Sequence, residues 1–512
     1  LQDFVDSINA IIWSPALIYL CLGAGLFFTV VTRGVQIRHF SEMWRLLLSG
    51  KSSEQGLSSF QALSISLSGR VGAGNIAGVA TAIGFGGPGA VFWMWVVAFF
   101  GAATAYIEST NAQIYKEETD GFYRGGPAYY IEKAMGQKWY AWIFAIATII
   151  ACGIMLPMVQ SNGLGEAIVL VFGRGDILET SLGNLSTVKI YTATGIVLLL
   201  GFIIFGGVKR IATFAQVIVP FMALGYILVS LVIIGLHIHR LPEIFMMIIN
   251  DAFTPMAGVG AAIGWGVKRG VYSNEAGQGT GPHAAAAAEV EHPAQQGLVQ
   301  AFSVYIDTLF ICSATAFMIL ITGAYNVHGA GDVFLVQNVA ADVVANGPAF
   351  TQLAVESVFS GLGKPFVAIA LFFFVFTTIL AYYFIAESNI YYIRRTFKIP
   401  GLVLALKIAI VSATFYGTVK AADLAWGMGD IGVGVMAWLN IIGIIIIFFM
   451  AKPAIKALRD YESQQKSGVK KFTFDPKSLN INNADFWDNR IANEKRSLAV
   501  NSKEKSQSKA ES

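Results

Sequence analysis

The chain has 512 residues, of which 55% are hydrophobic and only 13% charged, and its formal net charge is +3. A soluble domain usually carries about 25% charged residues. Here the mean hydropathy is +0.61, and apolar runs of roughly the 20 residues needed to cross a bilayer recur along the chain. This excludes a soluble fold and points to an all-α polytopic membrane protein.

Eleven spans are expected, near 11–31, 59–84, 88–115, 138–168, 189–207, 211–237, 255–280, 297–325, 364–393, 401–420 and 425–450. They read as helices because an isolated strand leaves its backbone groups unpaired in lipid. No Lys or Arg precedes Arg33, so the opening does not read as a signal peptide. Arg33, Arg38, Arg45 and Lys51 follow the first span; Lys116, Arg124, Lys133 and Lys138 follow the third; Lys209 and Arg210 follow the fifth. Arg394, Arg395 and Lys398 follow the ninth, whereas 326–363 holds no Lys or Arg. The positive-inside rule then sets the N-terminus outside and the C-terminus in the cytoplasm.

Four regions follow. Residues 1–58 are a first span and a cytoplasmic loop, 59–237 and 238–450 are two groups of five spans, and 451–512 is a cytoplasmic tail. The tail mixes Lys, Ser, Asn and Glu, and is expected to be largely disordered with an affinity for anionic lipid. Within the second group, 326–363 reads as an extracellular segment, with 349–362 as an outer lid. Five crossings per group is an odd number, so the two groups must run in opposite senses: an inverted repeat.

The first span of each group is unusual. One holds SGRVGAGNIAG (68–78), the other GVGAAIGWGVKRGVYSNEAGQGTG from Gly258 onward. Glycine costs a helix about 1 kcal/mol relative to alanine, and interrupted spans at matching positions of two halves point to a transporter's binding site. A break frees backbone N–H groups, which suit a carboxylate, and carbonyls, which suit Na⁺ or an ammonium group. Gly72 and Gly74 give the backbone torsional freedom and let a small ligand approach; Asn75 offers both an amide oxygen and an NH₂. Gly74–Gly78, Gly260–Gly264 and Gly266–Gly270 also match G-x-x-x-G, which by itself signals helix packing.

Ionisable residues in spans are functional candidates. Arg70 and Glu108 read as a gate or as structural ion-pair residues, Glu275 and Asp307 as gate or coupling candidates, and Lys407 and Asp430 as structural. Thr377 and Thr378 lie midway along the ninth span, where back-bonding to helix carbonyls is the commoner role. The three cysteines, Cys21, Cys152 and Cys312, sit in apolar segments and are odd in number, so neither a disulfide framework nor a metal site is expected. The six histidines show no metal-ligand spacing, and an enzyme is not indicated.

VGAGNIAGVATAIGFGGPGAVFWMW and RGVYSNEAGQGTGPHAAAAAEVEHPAQQG resemble the two signatures of the alanine/glycine:cation (sodium:alanine) symporter family, over about residues 10 to 455. The resemblance implies a leucine-transporter-type fold and Na⁺-coupled uptake of alanine or glycine across the inner membrane, without a cofactor. It implies that the amides of Ala73 and Gly74 meet the substrate carboxylate, and that Asn75 ligates either the adjacent cation or the substrate. A second Na⁺ would lie between the carbonyls of Ser68 and Val71 and the hydroxyls of Thr377 and Thr378. In the seventh span the break is expected between Gly264 and Ser273. Trp265, between Gly264 and Gly266, would wall the side-chain pocket, and Ser273 and Asn274 would either adjoin the substrate or hold the inner gate. The family often carries Thr where Ala73 stands, so a hydroxyl is absent beside this site. The partners implied are a small amino acid, Na⁺ and membrane lipid, with no nucleic acid. H⁺ coupling, a serine or glutamine substrate, and a channel are the alternatives.

Overall fold

The computed structural model describes residues 2–47, 53, 55–180, 183–254, 258–329, 331, 333–420 and 422–496. Lys51, expected in the first basic loop, lies outside them. The architecture is an all-α bundle built around membrane-length helices.

Chain order gives α1 (Gln2–Ile12) and α2 (Pro15–Val31), bent by 42° at their junction. The helices α3 (Ser59–Arg70) and α4 (Val79–Gly86) follow, joined through a π-helical turn at Gly74–Gly78. Then come α5 (Gly89–Ile114), α6 (Lys138–Phe172), α7 (Thr187–Ile204), α8 (Gly207–Leu236) and α9 (Leu241–Phe253). The second interrupted segment is α10 (Val259–Asn274) and α11 (Gly281–Ala287). It leads to α12 (Pro293–Thr322), the short α13 (Ala349–Glu356), α14 (Gly363–Arg394), α15 (Leu402–Val419), α16 (Ala422–Met450) and α17 (Pro453–Lys466).

Among the described residues, eight helices are long and apolar enough to cross a membrane, or nine if α1 and α2 form one span. This differs from the expected eleven because the two interrupted segments are divided into pieces too short to span individually. Two further features were not foreseen. The first span begins at Gln2 rather than near residue 11, as an amphipathic α1 whose Asn9 side chain donates to the Gly427 carbonyl at 2.8 Å. Among the described residues there are also three two-stranded antiparallel hairpins, including Asn326–His328 with Phe334–Gln337 inside the expected outer segment.

The tail corrects the expectation of disorder. Phe472, Phe474, Ile481 and Trp487 are buried, α17 is helical, and the chain is helical again over 485–496. These apolar residues are sparse in a polar sequence, but they dock on one face. Trp487 Nε1 donates to the Gln113 carbonyl at 2.8 Å, Tyr461 to Glu42 at 2.5 Å, and Arg490 pairs with Glu289 at 2.8 Å. Residues 497–512 of that expectation lie outside the described residues.

Candidate functional site

The first break is short. The helix α3 ends at Arg70, Val71 leaves helical torsions (φ −80°, ψ 87°), and the chain resumes as the π turn. Neither Gly72 nor Gly74 has a positive φ, so torsional freedom is not what these positions require. Close approach is. A Cβ on Gly72 would lie 2.6 Å from Thr378 Oγ1 and 2.7 Å from Gln160 Oε1, and one on Gly74 would lie 3.2 Å from Ser273 Cα.

The second break is displaced from the expected place. The helix runs unbroken through Gly264, Trp265, Gly266 and Ser273, and ends at Asn274. The turn falls at 275–280, where Glu275, Gly277 and Gly279 have φ of +58°, +85° and +82°. Gly266 and Gly270 are small instead because α5 lies against them: a Cβ on Gly266 would come within 2.5 Å of the Ala90 carbonyl oxygen. Those glycines pack helices, as their spacing also suggested.

Around the first break the polar groups converge and are buried. The Gly72 N–H donates to Asn75 Oδ1 at 2.8 Å, and the Ala73 N–H to Gln160 Oε1 at 2.7 Å. Asn75 Nδ2 donates to Asp307 Oδ1 at 2.6 Å, and Ser273 Oγ donates to the same oxygen at 3.0 Å. Thr308 Oγ1 donates to Asp307 Oδ2 at 2.7 Å, and the Cys312 sulfur lies 3.3 Å from Asn75 Nδ2 and 3.2 Å from Ser273 Oγ. One carboxylate therefore joins the first break to α10 and α12.

On the opposite side, Thr378 Oγ1 sits 2.7 Å from the Ser68 carbonyl oxygen, 3.2 Å from that of Val71 and 2.8 Å from that of Phe374. A hydroxyl carries one hydrogen, so it cannot donate to all three. Oxygens crowded in this way are the ligands a hard cation takes. Thr377 behaves differently: its hydroxyl meets the Phe373 and Phe374 carbonyls of its own helix and the Met222 sulfur. The structure brings Ser68, Val71 and Thr378 together and leaves Thr377 facing α8.

Gly264 and Trp265 are also apart from this cluster. Trp265 is eight residues before Ser273, about 12 Å along a helix axis at 1.5 Å per residue. It stacks on Phe85 at 5.1 Å. The aromatic residue beside the break is Tyr272, 3.2 Å from where a Gly74 Cβ would be and packed on Trp426 at 5.3 Å.

Arg70 and Glu108 form no ion pair with each other among the described residues; each holds one end of the second break. Arg70 Nε donates to the Asn274 carbonyl at 2.6 Å, where the C-terminal end of α10 favours a cation. Its Nη1 reaches Gln300 Oε1 at 3.2 Å and also Ser303 Oγ. Glu108 accepts the Gly277 N–H at 3.3 Å and the Asn440 NH₂ at 2.7 Å. Glu275 lies over the helix before the first break, its Oε2 3.1 Å from a Gly69 Cβ position. Asp430 is bridged by Arg269 (2.9 Å) and Lys268 (2.6 Å), a structural cluster as expected. Gln160, Tyr272 and Thr308 escaped the sequence reading, although QSN at 160–162 is a polar triplet inside an apolar span, and Cys312 figured there only as a cysteine in an apolar segment.

The sodium:alanine symporter family model matches residues 1–476. The chain belongs to the sodium:alanine symporter family. A Bacillus subtilis relative, provisionally named a sodium/proton-dependent alanine carrier, is 58% identical over 498 residues, 96% of this chain and 99% of its own. The sodium/proton-dependent alanine carrier of Bacillus sp. strain PS3 is 48% identical, covering 87% of this chain and 97% of its own. A sodium/alanine symporter of Methanococcus maripaludis is 35% identical, covering 90% and 98%. The chain is thus a multi-pass membrane carrier of the cation-coupled amino-acid symporter class, and not an enzyme.

Proposed function

We propose that this symporter carries alanine inward across the inner membrane with Na⁺, by alternating access around the two broken segments. The observation that carries the reading is the pairing of two unlike clusters on one break. Backbone N–H groups lie at Gly72 and Ala73, and the carbonyls of Ser68 and Val71 crowd the Thr378 hydroxyl. N–H groups and a helix N-terminal end suit a carboxylate, and crowded carbonyls suit Na⁺.

In this reading the substrate carboxylate takes the Ala73 and Gly74 amides, with Tyr272 limiting the side-chain pocket. One Na⁺ takes the Ser68, Val71 and Thr378 oxygens. Ser273 and Asn274 hold the second break beside the site. Residues 59–237 and 238–450 act as inverted repeats of the leucine-transporter type. The N-terminus is outside, the C-terminus is cytoplasmic, and 349–362 closes the outer side. Phe350 is buried there and Thr351 Oγ1 donates to the Ile76 carbonyl at 3.3 Å, which supports that lid. Arg70, Glu108 and Glu275 close the inner side by holding the second break.

Coupling requires that cation and substrate stabilise each other's site. The shared break supplies this, because ordering Val71 and Gly72 for one ligand orders them for the other. Alanine with one Na⁺ carries net charge +1. A potential of 100 mV then contributes about 2.3 kcal/mol, or about 50-fold accumulation before any Na⁺ gradient acts.

A second reading, coupling to H⁺, is favoured by one feature: Asp307 places a carboxyl group against Asn75 and Ser273. The names of the two Bacillus relatives include the proton as well as sodium. The test of the site is Asn75→Ala in proteoliposomes. Loss of gradient-driven alanine uptake in folded protein supports it; wild-type uptake moves the site elsewhere.

A further inference from the structure

The inner ends of the two broken segments are joined through their backbone. The Leu57 N–H, just before α3, donates to the Ala287 carbonyl at the end of α11 at 2.8 Å, and the Glu289 N–H donates to the Leu57 carbonyl at 2.7 Å. The C-terminal segment is docked on this joint. Arg490 Nη1 donates to Glu289 at 2.8 Å and to the Val290 carbonyl at 3.0 Å. The Phe472 N–H donates to Glu291 at 3.0 Å, and His292 meets Asp460 at 3.1 Å. Lys116 ties the two together: its ammonium donates to the Ala288 carbonyl at 2.9 Å and lies 4.5 Å from the Phe486 ring.

The same segment grips a second body. Asn483 Nδ2 donates to the Lys133 carbonyl at 2.8 Å, and Asp485 pairs with the Lys133 ammonium at 3.2 Å. Lys133 belongs to the helix Pro127–Met135, which is fixed to α14 and α16. The Tyr129 hydroxyl donates to the Ser388 carbonyl at 3.4 Å, Arg395 at the end of α14 pairs with Glu132 at 3.3 Å, and the Tyr130 hydroxyl donates to Asn440 Oδ1. The helix α14 carries Thr378, which faces the first break across the site.

Alternating access requires the broken segments to part from α14 on the inner side. The tail spans that line, with one end on the joint and the other on the helix Pro127–Met135. Its surface ion pairs contribute little singly, and its apolar anchor is Trp487, 2% exposed. Contacts made in only one of two states shift the equilibrium toward that state.

We propose that residues 453–496 form an autoinhibitory latch. Docked, the latch holds the joined inner ends of both broken segments and keeps the inner side closed; lifted, it lets that side open. This rests on the alternating-access reading and adds a control to it.

Two cysteine reporters, labelled with N-ethylmaleimide in proteoliposomes, test the latch. Ser64→Cys lies one turn before Ser68 on α3, at a position 2% exposed, and reports inner opening. Ala354→Cys lies in α13, at a position 0% exposed, and reports the outer side. The three native cysteines are buried, so the chain without a reporter gives the background. Trp487→Ala is expected to raise the Ser64→Cys labelling rate at least about tenfold, with no rise at Ala354→Cys. Arg490→Ala, which frees the joint, should raise it about two- to fivefold, and it carries the test if Trp487→Ala fails to fold. Asn483→Ala combined with Asp485→Ala frees only the far end and should give a rise of similar size.

An unchanged Ser64→Cys rate in Trp487→Ala and Arg490→Ala would overturn the proposal. So would an equal rise at both reporters, which means general loosening, or no rise on freeing the far end, which means the tail only covers the joint. Adding alanine with Na⁺ to the chain with an unaltered tail separates the two levels. If alanine changes Ser64→Cys labelling while the tail variants do not, alternating access stands and only the latch falls. If alanine changes neither reporter, the alternating-access reading falls with it.

Discussion

The Thr378 hydroxyl oxygen lies 2.7 Å from the Ser68 carbonyl oxygen and 3.2 Å from that of Val71, although the residues are about 300 positions apart in the chain. Thr377, its neighbour, turns the other way, onto its own helix and the Met222 sulfur. The pair therefore provides an internal control. Thr378→Val removes an oxygen from the carbonyl cluster and is expected to raise the Na⁺ concentration for half-maximal alanine uptake at least about tenfold, the loss of one charge-assisted contact. Thr377→Val should leave it within about twofold, because that hydroxyl only back-bonds. Na⁺ titrations of uptake check both; equal effects would place the cation elsewhere.

Asp307 accepts from Asn75, Ser273 and Thr308 at 2.6, 3.0 and 2.7 Å. Asn at this position keeps the shape but loses the charge and the exchangeable proton. Asp307→Asn is expected to abolish uptake driven by a pH gradient alone, while Na⁺-driven uptake persists at a reduced rate. Uptake in response to each imposed gradient tests this, and retained pH-driven accumulation would relieve Asp307 of the coupling role.

How much of this was legible in the sequence depends on the kind of signal. The two interrupted segments stood out because glycine and polar residues are costly in an apolar span. The Ser68, Val71 and Thr378 grouping came from resemblance and not from spacing, since it joins α3 to α14. The second break was misplaced. Eight glycines lie from Gly258 to Gly281 inclusive, and only positive φ at Gly277 and Gly279 distinguishes the turn from packing positions such as Gly266. Gln160 was hidden for a different reason: its partner, the Ala73 amide, is backbone, and sequence gives no sign of a lone backbone contact. The tail misled because its few apolar residues, Phe472, Phe474 and Trp487, gather only through docking on the surface around Gln113 and Glu289.

That docking has a measurable weight. Trp487 is 2% exposed, packs on Phe474 at 5.2 Å and donates to the Gln113 carbonyl. Trp487→Ala is expected to cost about 3–5 kcal/mol of docking free energy, as for a buried aromatic residue removed from a core. Limited proteolysis should then cleave within 453–496 much faster than in wild type. Unchanged cleavage would mean that the segment is held by its ion pairs.

Lys116 lies at the same surface, beyond the end of α5. Its ammonium group is buried against Tyr123 (4.3 Å) and Phe486 (4.5 Å) and donates to the Ala288 carbonyl at 2.9 Å. Burial pushes its pKa down to about 7, against the pull of Glu289 and with a small contribution from Arg490 in the same direction. The unfolded chain, with an ordinary lysine, binds more protons between about pH 7 and 10.5. Stability from this group therefore rises with pH across that window, and its cost is fully present below it. Lys116→Met should gain in melting temperature relative to wild type more at pH 6.5 than at pH 9; a pH-independent difference would contradict the sign.

Alanine accumulation in proteoliposomes, with a Na⁺ gradient and a pH gradient imposed separately, tests the central claim most directly. Concentrative uptake driven by the Na⁺ gradient, abolished by Asn75→Ala and weakened in Na⁺ affinity by Thr378→Val, is the predicted result. No accumulation under the Na⁺ gradient, or accumulation indifferent to both substitutions, would contradict it.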